Sequence, residues 1–104
     1  MSQTDTEITT KSFLESDDVS TKPPMYKVII LNDDYTTMDF VVEVIVKIFR
    51  KTLEKANKIM LNVHRRGKGI CGIYTREIAE TKIETVHTLA QAQGFPLKCI
   101  MEKE

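Results

Sequence analysis

The sequence predicts an α/β (α+β) fold, a two-layer sandwich in which three helices cover one face of a three-stranded antiparallel sheet. Apolar residues fall into strand-like runs and helical stripes in the order β-α-α-β-α-β. Glycine, proline and Asn/Asp clusters separate these segments. The length of 104 residues, with 41% hydrophobic and 29% charged residues, fits one globular domain.

The first strand and first helix are the most strongly patterned part of the chain. Residues 26–31 are rich in β-branched residues and almost entirely apolar, which predicts a strand buried on both faces or nearly so. Residues 32–36 should end it, because Asn and Asp favour turns. Thr36 or Thr37 is expected to cap the following helix. The apolar stripe of that helix is Phe40, Val41, Val44, Ile45, Ile48 and Phe49.

Two more helices and two short strands complete the predicted order. The second helix is expected over roughly residues 53–65, with Gly67 and Gly69 at its end in positions that tolerate positive φ. Residues 70–74 and 97–101 are the expected strands. Thr75 caps the third helix, which ends at Gly94 before Pro96. Its stripe is Ile78, Ala79, the stem of Lys82, Ile83, Val86, Leu89 and Ala90.

The first 24 residues differ in composition from the rest of the chain. They contain nine Ser or Thr and carry a net charge of −3, so the remaining 80 residues carry +3. Such a stretch buries too little apolar surface to offset its ordering entropy. We predict a flexible, acidic extension over residues 1–24, ending at two prolines, and a folded domain over 25–104. The extension is either inert solubilising chain or a tether to a partner.

The composition excludes several classes of protein. A formal net charge of zero argues against a chain that simply binds DNA. Neither a membrane-length apolar run nor a signal peptide is evident. Cys71 and Cys99 are too few for a disulfide scaffold. The expectation is a monomer in the cytoplasm with both thiols free.

Candidate chemistry is concentrated at two places. Asn32, Asp33 and Asp34 lie between two strongly apolar elements. Such a tripeptide is most often a turn, but its oxygens could also receive a metal ion or an ammonium group. His64 lies at the end of the second helical stripe, where a histidine is most often structural or simply exposed.

Metal and enzyme chemistry find little support. The Cys and His residues are scattered singly, unlike a zinc site, and the Asp cluster lacks a calcium-loop pattern. Cofactor-binding and nucleophile motifs are also missing from the sequence. We therefore expect neither a metal nor a cofactor, and no catalysis. The basic stretch 47–68 is either a solvated helix surface or a contact for RNA or the ribosome, although it lacks aromatic residues to stack on bases.

Several long strings, in order, give the chain a resemblance to a known family. They are PPMYKVI from Pro23, LNDDYT from Leu31, the segment 38–40, Met60-Leu61 with Val63-His64, and CGIYT from Cys71 leading into Glu77 and residues 79–82. Over residues 22–102 the chain resembles the ClpS family of bacterial proteolytic adaptors. Thr37 departs from the family, which often has Pro there.

The resemblance implies a non-catalytic adaptor with the sandwich fold. Such adaptors bind proteins whose N-terminal residue is Leu, Phe, Tyr or Trp and pass them to an AAA+ unfoldase of the ClpA or ClpC type, which feeds the ClpP peptidase. The alternative is a ribosome- or RNA-associated module that uses the basic helices 47–68, because the fold also occurs in a ribosomal stalk domain. The acidic extension would be a delivery arm in the adaptor.

The resemblance also implies a role for individual residues. Asn32, Asp33 and His64 would hold the α-amino group of the bound protein, and Asp34 and Thr36 would lie near its first backbone groups. Glu77, Glu80 and Lys82 resemble the surface that docks the unfoldase. The expected pocket for the first side chain is apolar, with Met38 as a gate against β-branched residues. Its lining comprises Met38, Val41, Met60, Val63 and Leu97, with Ile30 behind them.

Overall fold

The computed structural model describes residues 22–104, and the predicted sandwich is present there. A flexible extension was predicted over residues 1–24; residues 1–21 of it lie outside the described residues. In chain order the elements are β1 (Met25–Leu31), α1 (Met38–Lys47), α2 (Leu53–Arg66), β2 (Lys68–Thr75), α3 (Arg76–Gln93) and β3 (Lys98–Lys103). Both neighbours of β1 run antiparallel to it, which confirms the predicted fold class.

β1 is the central strand of the sheet, in the order β2-β1-β3. Ile30 lies opposite Gly69 on one side and Cys99 on the other. Val28 and Ile30 belong to the core that the helices cover. Ile29 is only 2% exposed but lies outside that core, because successive side chains of a strand point to opposite faces. This central segment is therefore buried on both faces, as predicted.

The core between the sheet and the helices is apolar. The rings of Phe40 and Phe95 lie 5.0 Å apart between centroids. Cys71 and Cys99 are both buried with free thiols, and burial raises the pKa of Cys99 to about 12 and that of Cys71 further. Thiols so strongly protonated act as apolar packing groups. The remaining buried core residues are Val28, Ile30, Val41, Val44, Ile45, Phe49, Ala56, Val63, Ala79, Val86, Ala90 and Leu97.

Threonine side chains fix where the first two helices begin. Thr37 Oγ1 accepts a hydrogen bond from the backbone N–H of Phe40 at 3.2 Å, so Thr37 rather than Thr36 caps α1. Thr52 caps α2 in the same way, with the N–H of Lys55 at 3.2 Å. Thr75 occupies the N-cap position of α3 without a side-chain hydrogen bond.

The two glycines after α2 have different roles, which corrects part of the prediction. Gly67 has φ of 90° and ends α2 in the left-handed conformation. Gly69 lies within β2 and does not have a positive φ. A Cβ atom at Gly69 would lie 2.8 Å from Val63 Cγ2 and 3.0 Å from the carbonyl oxygen of Ile59. Glycine at this position therefore lets α2 pack closely against β2.

The helices formed by residues 22–104 are too short or too polar to cross a membrane.

Candidate functional site

A cavity of about 250 Å³ opens where the end of β1 meets the start of α1 and the end of α2. Its volume is below the roughly 300–1,000 Å³ of drug-sized ligand sites, which suits a single side chain and its backbone group. The lining brings together nine of the residues singled out in the sequence, namely Asn32, Asp33, Asp34, Thr36, Met38, Val41, Met60, Val63 and His64.

The loop after β1 is organised by the carboxylate of Asp33. Its Oδ1 accepts hydrogen bonds from the backbone N–H groups of Tyr35 at 2.8 Å and Thr36 at 2.7 Å. Its Oδ2 accepts from Thr36 Oγ1 at 2.7 Å. Both the turn and the acceptor interpretation of this tripeptide are thus compatible with one geometry, because the turn holds the polar side chains at the cavity edge.

These bonds also set the charge of the site. Partial burial raises the pKa of Asp33, but the hydrogen bonds from Thr36 and Tyr35 outweigh it, so the pKa lies below its ordinary value of 3.8. Asp33 is therefore a carboxylate at neutral pH. Three of its roughly four lone-pair positions are already occupied, which leaves about one for a ligand.

A backbone hydrogen bond joins the loop to the end of α2. The N–H of Asn32 donates to the carbonyl oxygen of Gly67 at 2.9 Å. Gly67 is three residues beyond His64, so this bond holds the two chain segments side by side. The exposed side chains of Asn32 and His64 consequently line the same cavity, and neither forms a hydrogen bond within residues 22–104. Their acceptor atoms are available to a ligand.

Below the polar edge, the cavity is apolar. Val41 from α1 and Val63 from α2 are nearly fully buried, and Met60 is half-buried beside them. Met38, in the first turn of α1, is 46% exposed and forms part of the cavity mouth. The site thus has a polar rim with acceptors and a hydrophobic interior, which is the pattern of a pocket for an amphipathic group.

Leu97, expected in the lining, does not line this cavity, and Ile30, expected behind the lining, is a core residue. Ile30 is fully buried in the core between sheet and helices, beneath the cavity rather than on its surface. Leu97 is buried just before β3 and borders a different cavity, with His87 and Phe95.

The three residues expected to dock a partner lie on α3, away from this cavity. Glu77 and Glu80 are exposed, and Glu80 forms an ion pair with Arg76 at 3.2 Å. Lys82 is half-buried, and its ammonium donates to the carbonyl oxygen of Ile48 at 2.8 Å. It also lies 5.2 Å from the ring centroid of Tyr74. Lys82 therefore stabilises the contact between α3 and the end of α1.

His87 and the carbonyl oxygen of Gly67 have structural roles that no sequence pattern predicted. His87 Nε2 accepts a hydrogen bond from the backbone N–H of Cys99 at 3.0 Å, so the ring gives this N–H group of β3 a partner. The carbonyl oxygen of Gly67 positions Asn32, as described above. Neither contact has a local sequence signal, because each joins segments that are distant along the chain.

Within residues 22–104, no three Cys, His, Asp or Glu side chains come together in a way that could hold a metal ion.

Comparison with known proteins identifies the class to which this fold and cavity belong, the adaptors of an ATP-dependent protease. Residues 21–100 match the family model described as "ATP-dependent Clp protease adaptor protein ClpS". The chain belongs to the ClpS family.

Individual relatives agree with this assignment. The adapter protein ClpS of Desulforapulum autotrophicum is 67% identical over 82 residues, which are 79% of each chain. That of Desulfatibacillum aliphaticivorans is 63% identical over 83 residues, 80% of each chain. Among solved structures, Agrobacterium tumefaciens ClpS2 bound to L-phenylalaninamide superposes with a TM-score of 0.77 at 38% identity, covering 80% of this chain and all of that one.

Proposed function

We propose that this adaptor binds the free α-amino group and the bulky apolar first side chain of N-degron proteins, those that begin with Leu, Phe, Tyr or Trp. The observation that carries the proposal is a single cavity in which acceptors from Asn32, Asp33 and His64 border an apolar interior. Neither half alone selects a chain end, because internal peptide segments offer apolar side chains and lysines offer ammonium groups.

The polar rim suits an ammonium group. A free α-amino group has an ordinary pKa near about 8, so at neutral pH it is mostly a cation with three N–H donors. Asn32 offers an amide oxygen, Asp33 a carboxylate and neutral His64 a ring nitrogen, while Asp34 and Thr36 lie near enough to meet the first backbone groups. Each charge-assisted hydrogen bond contributes roughly 1.5–3 kcal/mol.

The apolar interior suits the first side chain. Met38, Val41, Met60 and Val63 line it, and flexible methionines adapt to both aromatic rings and Leu. Burying such a side chain contributes about 1.5–3 kcal/mol. The ligand of the Agrobacterium relative, L-phenylalaninamide, has both a free amino group and an aromatic side chain, and the likeness to that relative supports the same ligand class here.

The bound protein is delivered, we further propose, to a ClpA- or ClpC-type unfoldase by a monomeric, non-catalytic adaptor in the cytoplasm. Glu77 and Glu80 on α3 supply exposed charges for docking the unfoldase. Lys82 contributes to that surface mainly by holding α3 against α1, given its bond to Ile48. The acidic residues 1–24 act as the delivery arm.

An Asn32→Ala variant tests the polar rim. Loss of one ammonium acceptor should weaken binding of a Phe-headed peptide by about tenfold or more, measured by fluorescence anisotropy. Asn62→Ala is the matched control, since Asn62 is an exposed residue of α2 outside the cavity lining. Equal affinities of the two variants would contradict the assigned role of Asn32.

A further inference from the structure

A second cavity, separate from the one described above, runs along the free edge of β2. β2 pairs with β1 on one side, and no other strand within residues 22–104 covers its opposite edge. The cavity, about 380 Å³ in volume, lies between this edge and the first half of α2. We call it the β2 groove; its apolar residues are Ile59, Ile70 and Ile73, and its basic rim is Lys51, Lys55 and Lys58.

Two isoleucines of the β2 groove are partly exposed to solvent. Ile70 is 49% exposed and Ile73 is 42% exposed. Ile70 lies opposite Ile29 of β1, which lies opposite Ile100 of β3, so a row of isoleucines crosses the outer face of the sheet. An exposed strand edge beside isoleucines is a template for pairing with another chain segment.

The rim of the β2 groove is positively charged. The ion pairs formed within residues 22–104 are Lys47–Glu43 and Arg76–Glu80. Lys51, Lys55 and Lys58 take part in neither. Glu54, in the first turn of α2, is the one acidic residue of α2, so the rim carries a net positive charge. An occupant that combines acidic and apolar side chains would fit both the rim and the interior.

The chain itself contains such a segment a few residues before the start of β1. Residues 13–19 combine three apolar side chains with three acidic ones, namely Phe13, Leu14, Val19, Glu15, Asp17 and Asp18. Residues 20–24 join them to Met25, which lies opposite Thr75 at the end of β2. Five residues span up to about 17 Å, whereas two strand spacings from β1 to the far side of β2 need only about 10 Å.

We propose that residues 13–19 of this chain dock in the β2 groove, with their acidic side chains on the three lysines and their apolar ones against Ile70 and Ile73. The short connection gives an effective concentration in the millimolar range, so weak contacts suffice. Docking covers the exposed strand edge of the free protein. It also holds the N-terminal extension on the body of the adaptor, and added salt should release it.

Paramagnetic relaxation enhancement in the full-length chain tests the proposal. A nitroxide is attached at Ser12→Cys, just outside the docking segment; the native thiols are buried with raised pKa values and should not react. We expect the amide signals of residues 70–73 and of the first half of α2 to be broadened. The broadening should fall at least twofold in a Lys55→Gln/Lys58→Gln variant and at high salt.

The matched control is Arg65→Gln/Arg66→Gln, which removes the same charge from exposed positions at the other end of α2. This variant should keep the broadening of the parent protein. Broadening spread evenly over the surface, or reduced equally by both double variants, would overturn the proposal. A mixture of spin-labelled protein with ¹⁵N protein that carries no spin label tests for contacts between copies. Broadening in this mixture would also overturn the proposal, because it would assign the β2 groove to a second copy.

Discussion

At the scale of single residues, the polar rim of the cavity and its apolar interior are formed by different side chains. The carboxylate of Asp33 accepts three hydrogen bonds from its own loop, so it offers a ligand its negative charge and about one free lone pair. Asn32 and His64 form no side-chain hydrogen bond within residues 22–104 and keep their acceptors for the ligand. In the proposed function, Met38 and Met60 at the mouth and interior select the first side chain.

Met38 should determine the exclusion of β-branched first residues. Its side chain is 46% exposed at the cavity mouth, where a Cβ branch of Ile or Val would meet it. In Met38→Ala, Ile-headed peptides should bind several-fold more tightly than to the parent protein, a gain of about 1 kcal/mol. Affinities for Ile- and Leu-headed peptides are measured side by side, and unchanged Ile affinity would show that Met38 is not the gate.

Replacing His64 should weaken peptide binding. The His64 side chain lines the cavity and forms no hydrogen bond within residues 22–104, so a ring nitrogen is free to accept from the ammonium of the ligand. His64→Ala removes this acceptor, and affinity for a Leu-headed peptide should fall by about tenfold.

Calorimetry with a Leu-headed peptide at pH 7 measures the effect. Asn62→Ala, an exposed change on the same helix outside the cavity lining, is the control. Unchanged affinity in His64→Ala would remove His64 from the ammonium site.

At the scale of elements, α3 lies apart from the cavity and is the proposed site for docking the unfoldase. Its exposed Glu77 and Glu80 face solvent in the first turns of the helix, whereas no cavity-lining residue comes from it. Glu77→Gln/Glu80→Gln should therefore weaken binding to the N-terminal domain of a ClpA- or ClpC-type unfoldase several-fold, since each rim charge contributes up to about 1 kcal/mol.

The same variant should bind a Phe-headed peptide with parent affinity. Glu84→Gln, an exposed change on the same helix, is the control for both measurements. Calorimetry with the isolated unfoldase domain and with the peptide separates the two effects. A double variant that docks normally would place the unfoldase contact on another surface.

The element order followed from the sequence because each helical stripe and apolar run is bounded by its own stop signals. Thr52 and Gly67 bracket α2 almost at the predicted limits. β2 extends to Lys68–Thr75, beyond the predicted 70–74, because pairing with β1 recruits polar end residues that no local pattern identifies.

The candidate site was predictable to the extent that local chemistry marks it. The resemblance selected Asn32, Asp33 and His64, and the structure brings them to one cavity. Leu97 and Lys82 show the limit of this approach. Apolar character alone could not tell core from cavity for Leu97, and the bond from Lys82 to Ile48 spans 34 residues.

At the scale of the whole molecule, the two proposed contacts lie at opposite ends of the sheet. The cavity is at the Leu31 end of β1, whereas α3 begins beside Met25, at the other end of that strand. Seven residues of strand separate them, about 20 Å. An adaptor built this way can hold a substrate and an unfoldase at the same time without either covering the other.

Acetylation of the peptide's α-amino group most directly tests whether this cavity recognises a chain end. The affinities of a Phe-headed peptide and its N-acetylated form for the full-length protein are compared at pH 7 by isothermal titration calorimetry. The cavity of Asn32, Asp33 and His64 predicts that acetylation, which removes the charge and two donors, weakens binding by at least about tenfold. Equal affinity for the two peptides would contradict the account.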